Sequence, residues 1–182
     1  TLFSGLAPLL ELGQASLYRA DVQNAQLVLC GAYASAGGIS PGTALEMGEG
    51  LVGQCAVEKR VIHLTHPPAD YITVQSGLGS AVPVAILILP IISTDVLLGV
   101  IELACLKPFG EGEQQMLDHL LPMIAMSMEI IARNERTQAL LRASQEQAAA
   151  LATQRAEIAQ LLLEQESIFQ NAPHGIIYTG DG

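Results

Sequence analysis

Two neighbouring apolar runs, 85–92 and 96–105, carry the strongest pattern in the chain and predict two strands joined by a hairpin turn at Ser93-Thr94-Asp95. In the second run both alternating faces are apolar, with Leu98, Val100 and Ala104 on one and Leu97, Ile101, Leu103 and Cys105 on the other. A strand of that kind belongs in the middle of a sheet that is covered on each side. Upstream, residues 2–12 place Leu2, Leu6, Leu9 and Leu10 at helical spacing, with Pro8 as a candidate kink. Alternation over 14–20 and a second run over 26–33, joined by the polar turn 21–24, predict a hairpin.

Gly37, Gly38, Pro41 and Gly42 mark a loop. The stretch 48–64, GEGLVGQCAVEKRVIHL, follows it. A sharp turn at Gly48-Glu49-Gly50, two turns of helix over 51–58 and a strand over 61–64 are its expected elements. Pro67-Pro68 and Ser76-Gly77-Leu78-Gly79 then bracket a segment around Tyr71 that has no strand pattern.

From Gly112 to about Gln170 the pattern is helical. Met116, Leu117, Leu120, Leu121, Ile124 and Met128 form a wide apolar face that should pack on the sheet, and Pro122 predicts a local kink. Beyond Ile131 the face narrows to a seven-residue repeat. One column runs Thr137, Ser144, Leu151, Ile158, Gln165 and the other Leu141, Ala148, Arg155, Leu162, Phe169. This predicts a coiled coil over 134–167 whose apolar seam is Leu141, Ala148, Leu151, Ile158 and Leu162. Asn134, Thr137, Ser144, Arg155 and Gln165 interrupt that seam. Two readings stay open: a solvated helix without a partner, or a parallel homodimer marginal enough to hold two registers close in energy.

Composition narrows the function. The chain has 182 residues, half of them hydrophobic, so one domain with a real core and a remainder fits. A net charge of −10, no Trp and only seven Phe and Tyr together exclude a nucleic-acid surface, which needs clustered cations and stacking rings. Cys30, Cys55 and Cys105 are widely spaced, in apolar contexts and without a CxxC pair. They are read as buried, reduced thiols of a cytoplasmic protein, with no zinc site and no disulfide frame. The longest apolar run, 81–92, is shorter than the ~20 residues of a membrane-spanning helix. No membrane contact is expected from this segment. Thr1 begins inside a helical pattern, so the chain reads as a piece of a longer protein, any anchor lying before it.

Residues 1–133 resemble a GAF domain of the kind found in bacterial sensor and hybrid histidine kinases. The likeness rests on 48–55, Pro68-Ala69-Asp70-Tyr71-Ile72, 76–79, Pro83, Pro90, 98–104, and Phe109 followed by Glu113. It implies an α+β fold: a central antiparallel sheet, helices on one face, loops and a short helix over the other, and a long terminal helix that carries signal onward. The segment 168–182, with Asn171-Ala172-Pro173-His174-Gly175-Ile176-Ile177-Tyr178, resembles the start of a PAS domain.

Family chemistries fail residue by residue. The Cys-His pair and Asp-Ile-Pro segment of bilin-binding members are absent, as is the Asn-Lys…Phe…Asp-Glu signature of cyclic-nucleotide binders. Within this domain His63, His66 and His119 are the haem-ligand candidates, and surface roles suit them better. Free methionine-sulfoxide reductase activity would need cysteines at a spacing not found here. With no phosphate loop, nucleophile elbow or paired carboxylates, no enzyme activity and no cofactor are expected.

The resemblance leaves a pocket position: Val52, Cys55, Tyr71, Ser76, Leu78, Leu87 and Glu102. Tyr71 and Ser76 would offer hydroxyls at its roof. Glu102 is a carboxylate inside an apolar strand, either a site residue or an exposed or ion-paired strand end. The expected function is a sensory and relay module of a two-component histidine kinase, passing a small-ligand or upstream signal through a dimeric helix to a PAS domain. The alternatives are a ligand-free dimerisation scaffold and the same module in a diguanylate or nucleotide cyclase.

Overall fold

The computed structural model describes residues 2–35, 40–68 and 70–170, at positions 164 and 166–170 through the backbone alone. Gly37, Gly38, the Phe169 side chain and the PAS-like segment after Gln170 lie outside the described residues. The chain divides into two compact units, Thr1–Ile131 and Ala132–Gly182.

In the first unit, helix α1 (Leu2–Leu10) leads into strands β1 (Leu12–Asp21) and β2 (Gln26–Tyr33) and the short strand β3 (Ala44–Glu46). Helix α2 (Gly50–Glu58) and strand β4 (Ile62–Thr65) follow, then a small hairpin of β5 (Val74–Ser76) and β6 (Gly79–Ala81). Strands β7 (Ala85–Ser93) and β8 (Val96–Cys105) precede helix α3 (Glu111–Gln170). Six strands form one sheet in the order β3-β2-β1-β8-β7-β4. Every neighbouring pair in it is antiparallel. As its two apolar faces require, β8 is central. Its turn to β7 places Thr94 at φ 45° and Asp95 at φ 64°, the left-handed pair that matches the twist of a tight hairpin.

The sheet has a core on each face. On one, Phe3, Leu6 and Leu10 of α1 and Leu117 and Ala125 of α3 pack on Leu87, Leu89, Ile91, Ile101 and Leu103. On the other, Val52, Cys55 and Ala56 of α2 and Val74 of β5 pack on Leu27, Leu29, Ile86, Ile88, Val100 and Ala104. Each large aliphatic side chain buried this way contributes about 1.5–3 kcal/mol. The expected apolar face of α3 is all engaged, since Met116, Leu120, Leu121, Ile124 and Met128 join Leu117 in the first core.

Four details differ from the sequence reading. Leu97 and Leu98 exchange faces, because the register slips between Ile91 and Ile92: Ile91 pairs with Gly99 but Ile92 with Leu97. Leu98 is thus an extra residue that reverses the alternation. In α1 the buried positions are Phe3, Leu6, Ala7 and Leu10, while Leu2 and Leu9 are exposed. Three-residue strands β3, β5 and β6 occur where loops were expected. Finally, Cys30 is exposed on β2, and only Cys55 and Cys105 are buried.

The glycine-rich turn before α2 has a steric cause. Gly48 has φ 93° and Gly50 φ 60°, which L side chains rarely adopt. A Cβ on Gly53 would lie 2.7 Å from the Glu46 carbonyl and 2.8 Å from the Gly48 nitrogen. The first turn of α2 therefore rests directly on the backbone that leads into it.

In the second unit α3 continues to Gln170, and from Ile130 onward every described side chain is exposed. Among the described residues, no helix is long and apolar enough to cross a membrane.

Candidate functional site

The face of the sheet under α2 and the β5–β6 hairpin carries a charged group among core side chains. Alternation along β8 puts Glu102 there, between Val100 and Ala104. Across the ladders its partners are Ser16 on β1 and Ile88 on β7. Ser16 is 3% exposed and Tyr18 5%, and the two side chains are hydrogen-bonded to each other. Glu102 itself is partly buried, and burial holds its carboxyl above the usual range. Burial, and then the Glu102 charge, raises the phenols of both Tyr18 and Tyr71. The carboxylate is thus near both rings.

Among the described residues, no hydrogen bond or ion pair engages the Glu102 carboxylate. Lys107 pairs with Glu113 at 3.0 Å and Glu11 at 3.9 Å. Lys59 donates from Nζ to the Asp95 carbonyl at 2.5 Å. The polar set is therefore Ser16, Tyr18, Tyr71 and Glu102, framed by aliphatic side chains.

Of the sequence candidates, Val52, Cys55 and Glu102 share this face, and Tyr71, 45% exposed, stands at its solvent side. Leu87 does not belong with them. Its parity along β7 places it in the opposite core with Leu89 and Ile91, under α1 and α3. Ser76 is used by its own hairpin, donating from Oγ to the Gly79 carbonyl at 3.2 Å and accepting from the Leu78 nitrogen at 3.3 Å. Leu78, at the hairpin tip, is fully exposed. Both line a separate open groove of about 290 Å³ formed by β5, β6 and Leu106. Glu102, Tyr71 and Cys55 take no part in that groove.

Ser16 and Tyr18 were missed. Their only signal was a shared parity on β1, and it acquires meaning once the register sets Ser16 opposite Glu102.

The two buried thiols are not poised to react. Cys55 is 0% exposed, its Sγ donates to the Arg60 carbonyl at 3.1 Å, and burial pushes it up to about 12. Burial pushes Cys105 up to about 12 as well, and it lies in the other core. A thiol held protonated at neutral pH is a poor nucleophile.

Two of the histidines have contacts of their own. His63 meets Phe109 edge-on at 6.0 Å, and His119 Nδ1 lies 2.6 Å from the Gln115 carbonyl of its own helix. Among the described residues, no group of three or more His, Cys, Asp or Glu is arranged to hold a metal ion. What this face can do chemically is bind: one carboxylate, two phenols and a hydroxyl against aliphatic walls.

Comparison with solved structures agrees with this architecture. The GAF domain of a phosphoenolpyruvate-protein phosphotransferase from Acinetobacter superposes with a TM-score of 0.57 at 18% identity, over 72% of this chain and 80% of that one. The GAF domain of a two-component sensor histidine kinase from Bacillus halodurans gives 0.57 at 16% identity, over 72% and 90%. Free methionine-R-sulfoxide reductase from Neisseria meningitidis, solved in complex with its substrate, gives 0.54 at 17% identity, over 70% and 74%. At such identities the likeness is one of fold. Comparison with curated proteins gives no match. The sequence model of the GAF domain matches residues 6–129, which hold the whole sheet and the polar face, and the chain belongs to this family of sensory signalling modules.

Proposed function

We propose that this chain is the sensory and relay segment of a two-component histidine kinase, in which the GAF domain takes up a small-ligand or upstream signal. A homodimeric coiled coil over 134–167 then passes that signal to a PAS domain beginning near 168. The observation that carries the reading is the change of character along α3. Leu117 and Ala125 are buried in the sheet core, whereas Leu141, Leu151, Ile158 and Leu162 are 51–60% exposed. With Ala148 they form the heptad seam. An isolated helix has no reason to keep aliphatic residues at that period in water, and a second copy in parallel register would cover them.

The kinase context draws support from the heptad seam, the PAS-like residues after it and the sensor-kinase origin of one fold relative. Sedimentation of the full chain at tens of micromolar tests the dimer. A dimer that dissociates when Leu151 and Ile158 are both replaced by Asp is expected, and a monomeric wild type overturns the reading.

A second reading has an observation of its own. Val52, Cys55, Val74, Ile86, Ile88 and Val100 fill much of the α2 face with the chain's own side chains, which favours a ligand-free dimerisation scaffold. A thermal-shift screen against metabolites separates the two, since a specific ligand raises Tm by mass action.

A further inference from the structure

We propose that the α2 face of the sheet binds a small organic cation, an amine or a guanidine, with its charge on the Glu102 carboxylate and its carbon frame against the aliphatic walls. This rests on the ligand-sensing half of the proposed function and names the class of ligand.

A carboxylate set among apolar side chains is costly unless it is paired. Around Glu102 the neighbours are Val100, Ala104, Ile88 and Ser16, and none supplies a positive charge. Lys59 is tied to the Asp95 carbonyl and Lys107 to Glu113 and Glu11, and no positive charge among the described residues offsets the burial of Glu102. A cationic ligand would supply the partner that these side chains do not.

Its chemistry follows from what surrounds the carboxylate. A hard metal ion needs about six oxygen ligands, and the described residues assemble no such group. An organic cation needs one carboxylate and gains from phenol faces, which attract positive charge. Tyr18 and Tyr71 are the two rings within reach of the Glu102 charge. The set is not sealed from solvent, since Tyr71 is 45% exposed and Glu102 is only partly buried. A neutral ligand would leave the carboxylate unpaired, and an anion would be repelled by it.

The test uses the full chain and two amines, isobutylamine and benzylamine, with the guanidine agmatine. Isobutanol and benzyl alcohol are the neutral controls. Thermal shift and titration calorimetry are run at constant ionic strength. At least one cation is expected to raise Tm saturably while its neutral counterpart does not. Glu102→Gln should weaken that binding tenfold or more, and Tyr71→Phe, on the exposed side, by a smaller factor. Absence of any saturable cation response, or a Glu102→Gln protein that binds equally well, overturns the proposal. Should neutral or anionic metabolites bind while these cations do not, this proposal falls and ligand sensing stands. If nothing in either set binds, both fall.

Discussion

The two faces of the sheet are built from the same strands and do different things. Under α1 and α3 the buried side chains are carbon and sulfur from end to end, Leu87, Leu89, Leu103 and Cys105 among them. Under α2, Ser16, Tyr18 and Glu102 interleave with Val100, Ile88 and Ala104. A uniform core offers nothing to exchange with solvent and fixes the position of the helix above it. An interrupted core gives up stability at one residue in return for a place where a solute can make a difference.

The largest test of that contrast is Leu103→Ala in the uniform face. Leu103 is 0% exposed, so the cavity should cost about 2–5 kcal/mol, read from urea unfolding. A loss below about 1 kcal/mol would mean that the face is looser than described.

An intermediate effect is expected from Gly53→Ala. Helix propensity favours Ala by about 1 kcal/mol, but the new Cβ would lie within 2.9 Å of three backbone atoms of residues 46 and 48. Backbone cannot swing aside as a side chain can, so overpacking of about 1–3 kcal/mol should win and lower Tm. Gly5→Ala in α1, with nothing within 4 Å, is the control and should raise it.

The smallest effect is a gain. Because burial raises the folded pKa of Glu102, the unfolded chain releases that proton at lower pH than the folded one. Stability therefore falls as pH rises from the ordinary carboxylate range through the raised value. Glu102→Gln should remove this slope and lift Tm at neutral pH by roughly 2–4 °C, the scale of 1 kcal/mol in a chain this size. A wild type whose Tm is flat across that window would show that the carboxylate is well solvated.

Where the apolar pattern is long, the sequence was enough. Strands β7 and β8 and the sheet-packed part of α3 follow from runs of eight or more residues. Strands β3, β5 and β6 have three residues each, too few for alternation to show. Partner strands define them, and a partner is not visible in a local window. The same limit governs the site. Glu102 was legible as a charge in an apolar strand, and Val52, Cys55 and Tyr71 through the resemblance. Leu87 went to the wrong face because alternation says which residues lie together and not which side α2 takes. Ser16 and Tyr18 needed the β1–β8 register, and Leu97 and Leu98 a bulge that only the paired strand reveals.

Gly99 gives this arrangement a further consequence. A Cβ there would run into the Tyr18 carbonyl and would lie 3.1 Å from the Met128 methyl. At that point the Met128 methyl of α3 and the β1 backbone come together over a residue that has no side chain. A shift of β1 at Tyr18 reaches α3 through the flexible Met128 side chain, which can take up part of it. The sheet-packed stretch of the long helix sits there on a soft bearing, and a methyl at residue 99 would use up its clearance.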